Sequence, residues 1–268
     1  MSNIIINTKK KNPLIHCITN YVTVNDVANT ILAAGGSPIM ADDKKEVEEM
    51  QSICQALLIN IGTLNERTVE SMILAGKKAN ELNHPVILDP VGAGASSFRT
   101  ETIVKLLKEV KFSVIKGNIS EIKTIALGVG KTNGVDASND DLINFNNIDQ
   151  VINFSKNLSK KTGAIIVITG KIDIITTEFE TKITNNGCEN MSRITGTGCM
   201  LGGVIASYLA SNLESKFEAV VQAVSCMGIA GEFSSIEKGN GSFHIGLINE
   251  ISKMKDKDYE EFNKVEKR

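Results

Sequence analysis

The hydrophobic residues of this chain follow two patterns that alternate along the first two thirds of the sequence. One is a short run of almost continuous apolar residues, typical of strands buried on both faces of a parallel sheet. The runs that predict strands are residues 14–18, 37–40, 56–60, 86–89, 112–116 and 164–169. The other is a longer segment with helical spacing, as in residues 66–82, where Val69, Met72 and Ile73 share one helix face. The helices predicted in this way are residues 22–34, 44–53, 66–82, 101–110 and 120–127.

Repeated strand-then-helix units predict an α/β fold. We expect a doubly wound, mostly parallel central sheet with helices on both faces, in a single domain that spans residues 1–268. Residues 171–186 alternate in strand fashion around charged residues, which predicts an antiparallel hairpin at the sheet edge. Three further helices are predicted at residues 197–213, 216–236 and 247–254. The charged stretch 253–268 is interpreted as a solvated helix or a frayed tail. Residues 129–148, rich in Asn and Asp, are predicted to form one long irregular connection.

Composition excludes several classes of function. The chain has 29 Lys and Arg against 31 Asp and Glu, with 4% aromatic residues and no Trp, so neither nucleic acid nor anionic lipid is an expected partner. No apolar run approaches the roughly 18 residues of a membrane-spanning helix. The five cysteines are scattered and odd in number, which excludes a disulfide framework and a zinc site. These features predict a protein of the reducing cytoplasm.

The most informative motif is the glycine-rich segment around Gly196 and Gly198, directly before an apolar helix. Such a turn aims several N–H groups at one point, and together with the positive helix end they suit a phosphate. The backbone that would form this anion hole is Gly196, Thr197, Gly198 and Cys199. Cys199 would lie in the first helical turn, where a thiolate is favoured. A helix start that merely packs closely explains the glycines equally well, and the residues alone leave both interpretations open.

Two carboxylates follow predicted strands. Asp89 ends a buried strand before a glycine-rich loop, the position where open α/β sheets bind ligands, and Mg²⁺ prefers one or two carboxylates with phosphate oxygens and water. The alternative is that Asp89 only caps the turn before Pro90. Glu121 lies three residues after Asn118, and this pair alone is also a regular helix N-cap.

Two apparent motifs are rejected. Gly130, Lys131 and Thr132 match the end of a P-loop, but the position that requires the first glycine is Ile125. His16 and Cys17 are neighbours in a predicted strand and therefore point to opposite faces, which excludes a nucleophilic pair.

Taken together and in order, the motifs resemble the hydroxyethylthiazole kinase family, a branch of the ribokinase-like superfamily that acts in thiamine salvage. The matching segments are residues 16–23, 37–41, 60–64, 89–94, 117–121, 134–136, 169–171, 195–199 and 241–243. The resemblance covers residues 13–251, nearly the whole chain. A cysteine after Gly-Thr-Gly is especially telling, because most relatives in the superfamily place an aspartate there.

The resemblance implies a reaction and a set of roles. The reaction moves the γ-phosphate of ATP to the hydroxyethyl group of a methylthiazole, with Mg²⁺ as the metal. The implied roles are thiazole binding by Met40, Asn20 and Gly196, catalysis by Cys199, ATP binding by Lys116 and Thr169, and handling of Mg²⁺ by Asp89 and Glu121. A homotrimer with its sites between subunits is expected.

This sequence departs from the family pattern in places, and rival functions exist. Lys116 stands where many members carry Arg, and residues 239–244 carry Asn240 in place of the usual Pro and His244 in place of Arg. The rivals are an ATP-dependent dehydratase that repairs hydrated NAD(P)H, a hydroxymethylpyrimidine-type kinase, and a non-catalytic sensor of thiamine precursors. Cys199 disfavours the first, Asn20 and Met40 disfavour the second, and the two carboxylates disfavour the third.

Overall fold

The computed structural model describes residues 3–128, 147–234 and 239–268. Its strands are β1 Leu14–Ile18, β2 Ser37–Ile39, β3 Ala56–Asn60, β4 Val86–Asp89, β5 Val114–Asn118, β6 Ile165–Thr169, β7 Asp173–Thr176, β8 Thr181–Thr184 and β9 Val265–Lys267. Its helices are α1 Ile4–Lys11, α2 Val24–Ala34, α3 Val47–Ile53, α4 Glu66–Glu81, α5 Ser97–Glu109, α6 Ile119–Gly128, α7 Ile148–Thr162, α8 Thr197–Ser211, α9 Lys216–Phe233, α10 Asn240–Lys253 and α11 Asp256–Phe262. Two short 3₁₀ turns, Glu189–Arg193 and Leu213–Ser215, flank α8.

All described strands belong to one sheet with the order β2-β1-β3-β4-β5-β6-β7-β8-β9. The first six strands in this order pair in parallel, and β7, β8 and β9 continue the sheet in antiparallel fashion. The predicted doubly wound, mostly parallel α/β architecture is confirmed. Parallel strands end at a common edge, so the carboxyl ends of β1 to β6 form one rim.

The strands are apolar on both faces because each face is covered by a layer of helices. Leu58 of β3 packs in the layer of α1, α2, α8, α9 and α10. Its neighbours Leu57 and Ile59 pack in the opposite layer, with α3 to α7. The same alternation separates His16, which bonds Gln51 and the Ala41 carbonyl, from Cys17 in the other core, so the two do point apart.

Helix α8 is buried almost all round, which its apolar sequence requires. It packs between α2 and α9 and lies across β1, β3 and β4. This packing fixes the start of the helix, residues 196–199, next to the rim of the sheet.

Several predicted boundaries agree to within a few residues, and some elements differ. The stretch 253–268, interpreted from sequence as a solvated helix or a frayed tail, forms α11 and then β9, which pairs with β8. The predicted hairpin is therefore present, but β9 and not β8 is the edge strand. Helices α1 and α7 were not predicted. The connection 129–148 lies largely outside the described residues, as do the rejected P-loop match and residues 134–136. The end of the helix predicted at 216–236 also lies partly outside them, and α9 ends at Phe233.

Among the helices of the described ranges, none has the length and apolar character that a membrane crossing requires.

Candidate active site at the carboxyl ends of the strands

Five strands of the sheet bring a polar side chain to the same rim. Asn60 ends β3 and stands directly opposite Asp89 of β4. Lys116 lies in β5, and Thr169 ends β6. Asn20 follows β1 by two residues. The order of the strands therefore brings five positions that are far apart in the sequence into one row, and Asn20, Asn60 and Lys116 of this row contact the start of α8.

A buried ion pair lies in the middle of this row. Asp89 and Lys116 are 1% and 3% exposed, and the Lys116 Nζ lies 3.0 Å from the Asp89 Oδ1. The same ammonium donates a hydrogen bond of 2.8 Å to the carbonyl of Gly198. Burial raises the pKa of the Asp89 carboxyl, although Lys116 and Asn60 partly oppose this by favouring its charged form. Burial also lowers the pKa of Lys116, but Asp89, Cys199 and Glu121 together outweigh this effect, so the net shift is upward.

The sulfur of Cys199 lies at the centre of an amide network. Asn60 Nδ2 donates to Asp89 Oδ2 at 2.8 Å and to Cys199 Sγ at 3.3 Å. Asn20 Nδ2 donates to Asn60 Oδ1 at 3.0 Å and to the same sulfur at 3.2 Å. Asn20 is held in turn by Thr23, whose N–H and hydroxyl both donate to its Oδ1. Cys199, which is 8% exposed, therefore accepts hydrogen bonds from two fixed amides.

The turn before α8 has the form of an anion site. Gly196 is the N-cap residue with φ of +88°, and a Cβ there would lie 2.5 Å from Thr23 Cγ2, so only glycine fits. The first helical N–H that bonds back is that of Met200, to the Gly196 carbonyl. Within the described chain no acceptor takes the N–H groups of residues 197–199, and the helix N-terminus adds positive potential.

Glu121 has both of its carboxylate oxygens engaged. Its Oε2 accepts from the Asn118 N–H at 2.8 Å, and the Asn118 Oδ1 accepts from the Glu121 N–H at 2.9 Å, so the predicted N-cap pair exists. Its Oε1 accepts from the Gly92 N–H at 2.9 Å. Glu121 thus ties the loop after Asp89 to the start of α6, while its side chain stays partly open to solvent.

Arg99 holds two loops of the rim together. Its guanidinium donates to the carbonyls of Ile61, Gly62 and Val91 at 2.6, 2.7 and 2.5 Å. The first two carbonyls follow Asn60 and the third follows Asp89. The arginine therefore fixes the chain on either side of the Asn60 and Asp89 contact.

The remaining predicted residues lie at the same rim without joining the network. Met40 directly follows β2 and is 38% exposed. Thr169 stands opposite Asn118 in the sheet and is half-buried. Sequence reasoning missed two residues, Asn60 and Arg99. Asn60 could have been recognised, because it is a polar residue that ends an apolar strand. No feature of the sequence around Arg99 predicts its position at the rim.

The arrangement of the sheet and helices is the ribokinase-like α/β fold. The fold is shared with the pyridoxal kinase of Staphylococcus aureus in complex with pyridoxal, with a TM-score of 0.62 at 18% identity over 95% of this chain and 97% of that one. A ribokinase-like superfamily protein from Enterococcus faecalis matches with a TM-score of 0.62 at 13% identity over 94% and 95% of the two chains. At these identities the likeness concerns the fold alone.

Closer similarity is found within one family. Residues 5–257 match the model of the hydroxyethylthiazole kinase family. The hydroxyethylthiazole kinase of Clostridium acetobutylicum is 58% identical over 249 residues, which is 91% of each chain. That of Clostridium tetani is 51% identical over 267 residues, 98% of this chain and 96% of the other. The structure of the hydroxyethylthiazole kinase protein from Pyrococcus horikoshii OT3 matches with a TM-score of 0.88 at 32% identity over the whole of both chains. The chain therefore belongs to the hydroxyethylthiazole kinase family.

Proposed function

We propose that this kinase transfers the γ-phosphoryl group of ATP to the hydroxyl of 4-methyl-5-(2-hydroxyethyl)thiazole, giving the thiazole phosphate and ADP for thiamine biosynthesis. One observation supports this above all. The Cys199 sulfur, an acceptor for two amides, lies in the first turn of α8 beside the free N–H groups of residues 197–199. A proton acceptor next to an anion-binding turn is what an alcohol that attacks a phosphoryl group requires.

The residues of the rim would serve the transfer in two ways, by positioning the reactants and by stabilising the charge of the phosphoryl group. Phosphoryl transfer needs little covalent help, so the amides of Gly196 to Cys199 would supply most of the acceleration by holding the transferring group. Cys199 would take the proton that the substrate hydroxyl loses. Gly196, Asn20 and Met40 would bind the thiazole alcohol, since a flexible Met suits a small aromatic ring.

Lys116 and Thr169 would serve the nucleotide. The Lys116 ammonium already bonds the Gly198 carbonyl, so its charge lies beside the proposed phosphate site. Thr169 lies at the end of β6, two residues beyond the partner of Lys116 in the sheet. In this arrangement Lys116 acts as a point charge and not as a bidentate contact of the kind an arginine would make.

The carboxylates Asp89 and Glu121 suit Mg²⁺ that is bound largely by phosphate and water. Asp89 Oδ1 has the Lys116 ammonium beside it but accepts no well-aligned hydrogen bond, so this buried oxygen has coordinating capacity left. Each Glu121 oxygen uses one lone pair on a backbone N–H and retains another. In the described ranges no three His, Cys, Asp or Glu side chains gather into a metal site, so the phosphates of ATP would complete the ligand set. The ion would neutralise charge on the phosphoryl oxygens.

We further propose a homotrimer with sites between subunits, in the reducing cytoplasm. Large apolar side chains beside the rim are exposed to solvent. The exposed fraction is 57% for Tyr21, 65% for Val22 and 38% for Met40. All five cysteines are free, which suits a reducing compartment.

Light scattering on a sizing column should give three times the chain mass, and Val22→Asp should lower that mass. Phe179→Asp, at a residue 86% exposed on the β7–β8 turn, is the matched control and should leave it unchanged. A trimer that survives Val22→Asp intact would contradict this interface.

The activity is tested by ADP release with three acceptors in parallel. We expect kcat/KM with the thiazole alcohol to exceed that with hydroxymethylpyrimidine or hydrated NADH by about 100-fold or more. Reactions without an acceptor measure background ATP hydrolysis. A preference for hydrated NADH would identify a dehydratase, and a preference for the pyrimidine alcohol a sibling kinase.

A further inference from the structure

Asn60 has its hydrogen-bonding capacity completely used. Its two N–H groups donate to Asp89 Oδ2 and Cys199 Sγ, and its Oδ1 accepts from Asn20 Nδ2 and from the Gly62 N–H at 2.9 Å. Two donors and two accepting lone pairs are all that a side-chain amide offers. The residue is 2% exposed, so no water competes for these bonds.

These four hydrogen bonds permit only one orientation of the Asn60 amide. If the group were turned over, its oxygen would face the carboxylate of Asp89, and its N–H groups would face the Gly62 N–H and the Asn20 amide. Both contacts would be repulsive in a buried site. The donor side of Asn60 is therefore locked toward Asp89 and Cys199, across a sequence separation of 139 residues from the cysteine.

We propose that Asn60 is a positioning residue that holds the sulfur of Cys199 as a hydrogen-bond acceptor for the reaction. This inference rests on the proposed function, in which Cys199 takes the proton of the alcohol. The Asn60 N–H donates to the sulfur at 3.3 Å and so fixes its position as an acceptor in the first turn of α8. With 2% of its surface exposed, Asn60 has no face left for a substrate, and it acts through the cysteine.

A double-mutant cycle on kcat tests the inference. We expect Asn60→Ser to lower kcat about 10-fold with KM for the thiazole alcohol unchanged within about twofold, as for a role confined to the transition state. In the Cys199→Ala background the same change should lower kcat by less than about threefold, because the group that Asn60 serves is gone. Asn60→Ala, which loses both N–H donors without placing a charge beside Asp89, should behave like Asn60→Ser in both backgrounds.

The matched control is Asn212→Ser. Asn212 is also buried and hydrogen-bonded, to Asn7, Ile4, Thr8 and Tyr208, but it lies at the opposite end of α8. It should lose stability, measured by thermal unfolding, and keep its kcat. Equal losses from Asn60→Ser with and without Cys199 would overturn the inference, as would a rise in KM alone. If Asn60→Ser is unfolded, Asn60→Ala provides the same cycle. A wild type without activity on the thiazole alcohol would refute the proposed function instead, before any variant is compared.

Discussion

Cys199 differs from the other buried cysteines in what surrounds its sulfur. Burial among apolar groups raises the pKa of the Cys17 and Cys226 thiols, and it raises that of Cys54 to about 11. Cys199 lies instead among two amide donors, at the start of a helix. Two amide donors at the start of a helix are the surroundings that the proposed role of Cys199 requires.

Substitutions of Cys199 distinguish two roles for its side chain, that of a proton acceptor and that of a residue that only packs. We expect Cys199→Ala to lower kcat by roughly 10–100-fold with little change in KM, since a positioned base typically contributes at least that much. Cys199→Asp should keep substantial activity, because its carboxylate can accept from the same two amides of Asn20 and Asn60. Steady-state ADP release with saturating ATP measures both. An alanine enzyme at full rate together with a damaged aspartate enzyme would show that the residue only packs the helix start.

Gly196 offers a second test at the level of one residue. Gly196→Ala combines an unfavourable φ of +88° with a contact of 2.5 Å to Thr23. Gly163→Ala is the matched control, because Gly163 has φ of +71° and nothing within 4 Å of the added Cβ. The control should cost about 1–2 kcal/mol of unfolding free energy and no activity. Gly196→Ala should cost more stability and should lower kcat/KM at least ~10-fold, because the anion-binding turn is displaced. Equal activity of the two variants would remove the turn from the site.

Some site residues could be predicted from the chain and others could not. Asp89, Cys199 and the glycines of the turn stand in local contexts, a strand end or a helix start, that carry meaning by themselves. Asn60 and Arg99 owe their roles to partners across the rim, so no window of sequence around either one reveals them. The N-cap interpretation of Glu121 proved correct as geometry, and its metal role remains a prediction.

At the scale of elements, the rim joins β4 and β5 through Asp89 and Lys116. We expect Asp89→Asn to lower turnover sharply and to raise the Mg²⁺ concentration needed for half-maximal activity, because it removes the carboxylate that we propose as a metal ligand. It also leaves a buried ammonium unpaired, which costs about 3–5 kcal/mol of stability. Lys116→Met breaks the same ion pair but keeps the carboxylate, so it should not raise the Mg²⁺ requirement. Turnover within about threefold of wild type at saturating Mg²⁺ would reject Asp89 as a ligand.

Strand β7 begins with Asp173, a carboxyl group whose pKa is shifted. Burial raises the pKa of Asp173 to about 7, although the Gly170 N–H and Lys116 favour its charged form. Between pH 4 and pH 7 the folded chain therefore holds a proton that the unfolded chain releases, so this stabilising contribution is lost as the pH rises.

Asp173→Asn removes that proton equilibrium while keeping an oxygen for the Gly170 N–H. Relative to wild type, the variant should gain about 1–3 kcal/mol of unfolding free energy between pH 5 and pH 8, discounted for the partial exposure of the residue. Urea titrations of both proteins at the two pH values measure this difference. A difference that does not change with pH would show that Asp173 titrates normally.

Elements with a local pattern were predictable, and those defined by distant contacts were not. The six apolar strands and helices α2 to α6 follow periodicity, to within a few residues at their ends. Helix α1 has three isoleucines followed by lysines, with too few turns to show a clear period. Strand β9 has only three residues, of which two are charged, and it is a strand because β8 offers an open edge.

On the scale of the whole molecule, the two ends of the chain are joined. Asp256 accepts hydrogen bonds from the N–H groups of Ile5 and Ile6, at 3.1 and 3.0 Å, and from Gln222 at 3.1 Å. Lys9 donates to the carbonyls of Ser252 and Met254. The carboxylate of Asp256 thus caps the first helix from a position 250 residues away.

We expect Asp256→Asn to lower the unfolding free energy by about 1–2 kcal/mol. The amide is uncharged and has one accepting oxygen, whereas the carboxylate is charged and has two. Kinase activity should persist, since the contact lies outside the rim. Glu260→Gln, at an exposed residue of the same helix, controls for the loss of one negative charge. Equal stability of the two variants would show that the cap contributes nothing.

Because Asp256 caps helix α1, this helix is held in place only after residue 256 has been synthesised. Helix α1 is translated 250 residues before the carboxylate that caps it, and also well before the strand β9 that pairs with β8. The nascent chain can pair its parallel strands early, but its first helix must wait for residues 256–267 before it is held. A chain that is interrupted before residue 256 therefore leaves α1 without its cap and β8 without its partner strand, and such truncated copies are open to proteases.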